Sequence, residues 1–165
     1  MIRTFFCLPL ILILGLFAVG CKSESKPKFA VVDAEVVFTQ SILSEKGNAY
    51  FQSFLTDLQA ELEELQKKAD EASDEEKQAA QENIQVRLAE MQQQANIVQQ
   101  HVGVIIAESF DKALEAYRVR NGYDMIFHNA AVLASGANIN VTTAVLDELN
   151  SMAASIDFSL PPAEK

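Results

Sequence analysis

Residues 51–105 read FQSFLTDLQAELEELQKKADEASDEEKQAAQENIQVRLAEMQQQANIVQQHVGVI, and the apolar spacing within this stretch decides the fold. Towards its middle the apolar positions are Phe51, Leu55, Leu58, Leu62, Leu65, Ala69 and Ala72; beyond it they are Ile84, Leu88, Met91, Ala95, Val98, Val102 and Ile105. Both series step alternately by four and three, the period of a coiled-coil seam. Between them lies an acidic tip in which Ser73 precedes Glu76 by three residues, a capping-box signature that places the second helix's start at Ser73. The pattern predicts a long antiparallel helical hairpin over 49–120 with its tip near 70–76. Leu55, Leu58, Leu62, Leu65, Ile84, Leu88, Met91, Val98 and Val102 carry its seam, and each arm should reach about 30 to 40 Å at 1.5 Å per residue. A rod two helices thick has no room for a buried catalytic pocket, whereas it suits holding, spacing or clamping something larger.

Short segments flank the hairpin. Phe29–Asp33 (FAVVD) reads as a strand, Ala34–Gln40 as one or two helical turns, and 41–48 as a break containing Ser44 and Gly47. Past Val102 the seam loosens into Ile106, Phe110, Ala113 and Tyr117, which marks entry into a globular body. Gly103 in this helix suits a close helix approach or a slight bend, and Asn121-Gly122 supplies a left-handed stop. Tyr123–His128 reads as a strand and Ala131–Ala134 as another. Thr142 is placed to cap a final helix with Val145, Leu146 and Leu149 on one face, and 156–165 reads as a disordered tail.

The fold class is therefore α+β, with the hairpin inserted between the two parts of a small β-rich body, 29–48 and 121–155. Three strands this short do not make a stable core in one copy, so identical chains are expected to pool them. Val31, Val32, Val37, Phe38, Met125, Ile126, Phe127, Val132 and Leu133 are the residues expected in that shared body.

At the N-terminus, residues 1–20 have one positive charge, Arg3, then an apolar run from Phe5 to Val19 broken only by Pro9 and Gly15. This is the layout of an export signal, and its end, Ala18-Val19-Gly20-Cys21, resembles the lipobox at which bacterial lipoproteins are cut and lipidated on cysteine, here Cys21. An uncleaved anchor is the alternative, although the run is shorter than the about 20 residues of a spanning helix. By the same resemblance Lys22, rather than an aspartate, favours the outer over the inner membrane. Residues 21–28 form a polar leash. Cys7 and Cys21 are the two cysteines, so loss of the signal removes any disulfide pair. The formal net charge of −10, which loses Arg3 with the signal, argues against nucleic acid as a partner.

FAVVDAEVVFTQS near the start, the Gln- and Glu-rich arms, and YDMIFHNAAVLASGANINVTTAVLDELN near the end together resemble the Skp/OmpH family of periplasmic chaperones over nearly the whole mature chain. The resemblance implies a homotrimer whose β-rich body carries three hairpin arms around a cavity. Unfolded envelope proteins would be held there without ATP or any cofactor. The best-known members are soluble and basic, whereas this chain is acidic and carries the lipobox-like end. Client contact is therefore expected through apolar and polar surface rather than charge, with Phe54, Ile97 and Val104 as candidates off the seam. A membrane-anchored coiled-coil spacer of the envelope is the alternative use of the same rod.

Neither a nucleophile arrangement nor a phosphate loop is present in the sequence, and His101 and His128 fall on different predicted elements without a nearby ligand pair. The Glu63/Glu64 and Glu75/Glu76 pairs read as solvating charge, since exposed carboxylates lack the desolvation that tunes catalytic acids. No enzymatic activity, metal or cofactor is expected.

Overall fold

The computed structural model describes residues 26–161. Elements run β1 (Phe29–Val32), α1 (Ala34–Gln40), α2 (Ile42–Glu71), α3 (Lys77–Asn121), β2 (Met125–His128) and α4 (Thr142–Met152), with 3-10 turns at Asn129–Ala131, Ala137–Ile139 and Ala153–Ser155. The expectations for the export signal and for Cys21 lie outside the described residues.

Helices α2 and α3 form the hairpin. Gly47 faces Val102 and Glu61 faces Arg87, so the facing residue number falls as α2 advances, which is an antiparallel register. The helices hold 30 and 45 residues, or about 45 Å and about 67 Å of axis, longer than the expected arms. The extra length of α2 comes from its start. The expected break at 41–48 is helix, because Ser41 caps it by accepting from the Ser44 amide at 3.1 Å. Gly47 is there for close approach: a Cβ at this buried position would lie 2.9 Å from Val102 Cγ1 and 3.0 Å from Ile106 Cδ1.

At the tip the capping box forms only in part. The Ser73 hydroxyl donates to the Glu76 carboxylate at 2.8 Å instead of accepting a backbone amide, and the Ser73 carbonyl accepts from the amides of Glu76 and Lys77. A turn over Asp74–Glu76 results, and α3 is counted from Lys77 rather than from Ser73. At the other end of α3, Gly122 stops the helix with φ of 65°, its amide donating back to the carbonyls of Arg118 and Val119.

The body differs most from the sequence reading, for it is chiefly helical rather than β-rich. Strands β1 and β2 pair in parallel, Phe29 opposite Met125 and Val32 opposite His128, and form the only sheet among the described residues. Parallel pairing needs a long connection between the strands, and the hairpin supplies it. Ala131–Ala134 is not a strand. The His128 ring accepts from the Ala130 amide at 3.0 Å, and the Val132 amide closes a turn onto the Asn129 carbonyl, so the chain curls away after β2. Instead Asn140 bridges to Val31 on the far side of β1.

Thr142 does not cap its own helix. Its hydroxyl accepts from the Asp33 amide at 2.9 Å, while Asn140 Oδ1 accepts from the Thr142 amide. Asp33 in turn caps α1 by accepting from the Val36 amide at 3.1 Å. These polar links sew the chain's two ends together around an apolar interior. That interior joins Ala30 and Val32 of β1, Val37 of α1, Leu43 of α2, Val102, Phe110 and Ala113 of α3, and Val145 and Leu149 of α4. One chain thus encloses a core of its own, contrary to the expectation that the end segments shelter only in sister copies. Helical side chains from four elements do what three short strands alone could not.

Candidate functional site

Among the described residues, two surfaces combine apolar character with exposure. The first is the outer face of the sheet. Side chains alternate along a strand, so Ala30, Val32 and Ile126 pack into the core while Phe29, Val31, Met125 and Phe127 share the opposite face. Phe29 and Phe127 meet edge to face at 5.9 Å between centroids. With Val132, Leu133 and Ile139 they border an open apolar hollow of about 570 Å³. Met125 is 54% exposed and Leu133 fully so. Parallel sheets are ordinarily covered on both faces, and large exposed apolar patches mark interaction sites. The outer edge of β2 also has no strand partner among the described residues. Of the residues expected in a shared body, Val31, Val32 and Val37 are buried within the single chain and Phe38 rests on Phe110 at 4.8 Å. Met125, Phe127 and Leu133 are exposed, while Ile126 and Val132 lie between.

The second surface is the hairpin. Met91, Val98 and Val102 are buried, whereas Leu55, Leu58, Leu62, Leu65 and Ile84 are half-buried. Leu88 is 37% exposed, and Arg87 takes the inward place beside it. The Arg87 guanidinium grips Glu61 across the arms with two hydrogen bonds, of 2.7 and 2.9 Å, and Glu90 with a third of 3.0 Å. The bond from Arg87 holds the Glu61 carboxyl below its usual range, and the two acids hold Arg87 above its own. Seam-flanking ion pairs of this kind are a known coiled-coil feature, and Glu61 beside Leu62 with Arg87 beside Leu88 was the signal for it.

Among the residues expected to touch a client, Phe54 packs at the margin of the core, while Ile97 and Val104 are exposed. Val86 is also exposed, and its spacing to Ile97 and Val104 puts all three on one face of α3. Gly103, next to Val104, has open space where a Cβ would stand, so close helix approach is not its reason. It opens onto a cleft of about 810 Å³ bordered by Phe38, Ser44, Asn48 and Ile106.

Among the described residues no group of three or more His, Cys, Asp or Glu side chains could hold a metal, and no helix is long and apolar enough to cross a membrane. His101 Nε2 lies 3.1 Å from the Ser159 carbonyl, a contact that requires this nitrogen to carry the proton.

The architecture is thus a hairpin of two long helices set on a small body with a parallel β1–β2 pair. The family model for outer membrane protein (OmpH-like) matches residues 28–149. The chain belongs to the OmpH-like family. Membership makes it a member of a non-enzymatic chaperone family and implies the periplasm as its compartment. A crystal structure assigned as an OmpH-like outer membrane chaperone from Caulobacter crescentus CB15 has the same fold, with a TM-score of 0.52 at 12% identity, covering 82% of this chain and 91% of that one. No curated protein matches the chain. The OmpH-like match spans β1 through most of α4 and ends at Leu149, so the segment that follows Leu149 lies beyond it.

Proposed function

We propose that this OmpH-like chain is an ATP-independent holdase for unfolded outer-membrane or other envelope proteins, working as a homotrimer. The observation that carries the reading is the uncovered apolar sheet face, Phe29, Met125, Phe127 and Leu133, beside a paired helical hairpin. Copies joined through that face and through the free edge of β2 would project three arms from one body. Clients would meet the exposed apolar residues Val86, Ile97 and Val104 along α3 and the cleft at its base. Each contact is weak, and three arms acting together raise the effective concentration without a strong single site.

The arms are acidic, with eleven Asp and Glu against four Lys and Arg between Asp57 and Glu90, so apolar and amide groups rather than charge would bind the client. In this reading lipid on Cys21 tethers the trimer to a membrane, the outer one in preference to the inner. The test is direct. Purified mature protein at stoichiometric trimer concentration should delay aggregation of an unfolded β-barrel protein diluted from denaturant. An unchanged aggregation rate would leave the chain as an envelope spacer.

A further inference from the structure

Beyond the family match, the described residues as far as Ser159 stay in contact with the body. After α4 and the Ala153–Ser155 turn it becomes extended at Ile156 and crosses the base of the hairpin. Its apolar residues alternate, Ile156, Phe158 and Leu160, with Asp157 and Ser159 between them pointing to water. Phe158 is buried to 6% exposure, although the sequence reading placed it in a disordered tail.

The seat of Phe158 is built by both arms. From α2 come Tyr50, whose ring stacks on Phe158 at 6.1 Å, and Gly47, whose missing side chain opens the notch; a Cβ there would lie 3.2 Å from the Phe158 ring. From α3 come Val102 and Ile106, at the same notch, and His101, which donates to the Ser159 carbonyl. Just upstream, Lys46 Nζ donates to the Ala153 carbonyl at 3.0 Å, and Asn150 Oδ1 accepts from the Ile42 amide at 2.8 Å. A short segment outside the family's shared region therefore touches both α2 and α3 at the point where the arms leave the body.

We propose that Ile156–Leu160 is a strap that fixes the two arms to the body at their base, so that movement of the arms requires Phe158 to leave its notch. Any hinge motion of the hairpin must pass through the Gly47–Val102 crossing, and the strap lies across that crossing. The Phe158 ring fills space between helices that would otherwise be free to slide. The strap itself belongs to no helix or strand, and it ends at a 41% exposed Leu160. Such a segment belongs to the locally unstable class from which moving elements are drawn.

The experiment is amide hydrogen exchange on the full-length protein, comparing wild type with Phe158→Ala and with His101→Ala. The second variant removes the clasp on Ser159 while leaving the buried ring, and so remains informative should Phe158→Ala fail to fold. The expected result is exchange at least tenfold faster in α2 near Gly47–Phe54 and in α3 near Val98–Ile106 for Phe158→Ala, and a smaller change at the same amides for His101→Ala. Amides of β1 and β2 should keep wild-type rates. Unchanged rates at the arm base in both variants overturn the proposal. A uniform acceleration that includes β1 and β2 also overturns it, since Phe158 would then be an ordinary core residue. The relation to client holding rests on the proposed function, and a wild-type protein that fails to delay aggregation refutes that function while leaving the exchange result to judge the strap.

Discussion

The body and the distal arms of this chain are held by different physics. In the body, residues from four helices and a strand converge on side chains with essentially no exposure, Val37, Leu43, Val145 and Leu149 among them. In the arms beyond Met91 the seam is only half-buried, because two helices alone cannot cover a stripe from all sides, and a bidentate ion pair supplements it. Stability should therefore be steeply graded along the molecule, firm at the body and soft towards the tip. Under the proposed holdase role this gradient is useful, since the distal arms could adapt to a client without loosening the body.

Substitutions placed along the molecule test this gradient. Leu149→Ala in the body should have the largest effect, about 2 to 5 kcal/mol of unfolding free energy by chemical denaturation, from lost burial and a residual cavity. Gly47→Ala, at the boundary between the two regions, should cost about 1 to 3 kcal/mol by overpacking against Val102, Ile106 and Phe158. An equal or higher denaturation midpoint for this variant would show that the crossing is looser than described.

Leu62→Ala, in the soft region, should cost about 1 to 2 kcal/mol, because part of its surface is already wet. A penalty matching that of Leu149→Ala would erase the contrast.

Arg87→Gln should produce the smallest change, a slight fall in melting temperature at neutral pH, since an ion pair that keeps contact with water on both partners contributes little. Its sign with pH follows from Glu61, whose folded-state carboxyl titrates below its ordinary value through the bond from Arg87. The pair's contribution is present above the ordinary carboxylate range and is lost as the pH falls through the lowered value. Wild type and Arg87→Gln should accordingly converge in melting temperature in acid, as followed by circular dichroism, and diverge again towards neutrality.

What the sequence made legible tracks the same division. The hairpin was readable because a seam repeats and each leucine reports on the next. Strands β1 and β2 were readable from their β-branched and aromatic runs. That the helices of the body meet in one core was not, because Leu43, Phe110 and Leu149 lie far apart in the chain and carry no shared period. Ser41 and Thr142 show a related limit. Ser41 stood at the start of an apparent break and proved to cap α2, whereas Thr142 looked like a cap and instead serves the Asp33 amide across the fold. Gly47 and Phe158 were misread for one reason: a notch and the ring that fills it have meaning only together. At the candidate site, the exposed positions Met125, Phe127 and Leu133 were named from sequence, and so were Val31, Val32 and Val37, which one chain buries by itself. Hydrophobicity marks both kinds of residue alike, and only the packing separates interior from interface.

The account turns on whether the open sheet face joins copies of the chain. Multi-angle light scattering of the signal-less protein, with and without Phe127→Asp, addresses this most directly. A mass three times that of the chain, falling to one chain in Phe127→Asp with its helical circular dichroism retained, is the predicted result. A wild-type protein that runs as a monomer at micromolar concentration would contradict the account, because a lone hairpin has no enclosure in which to hold anything.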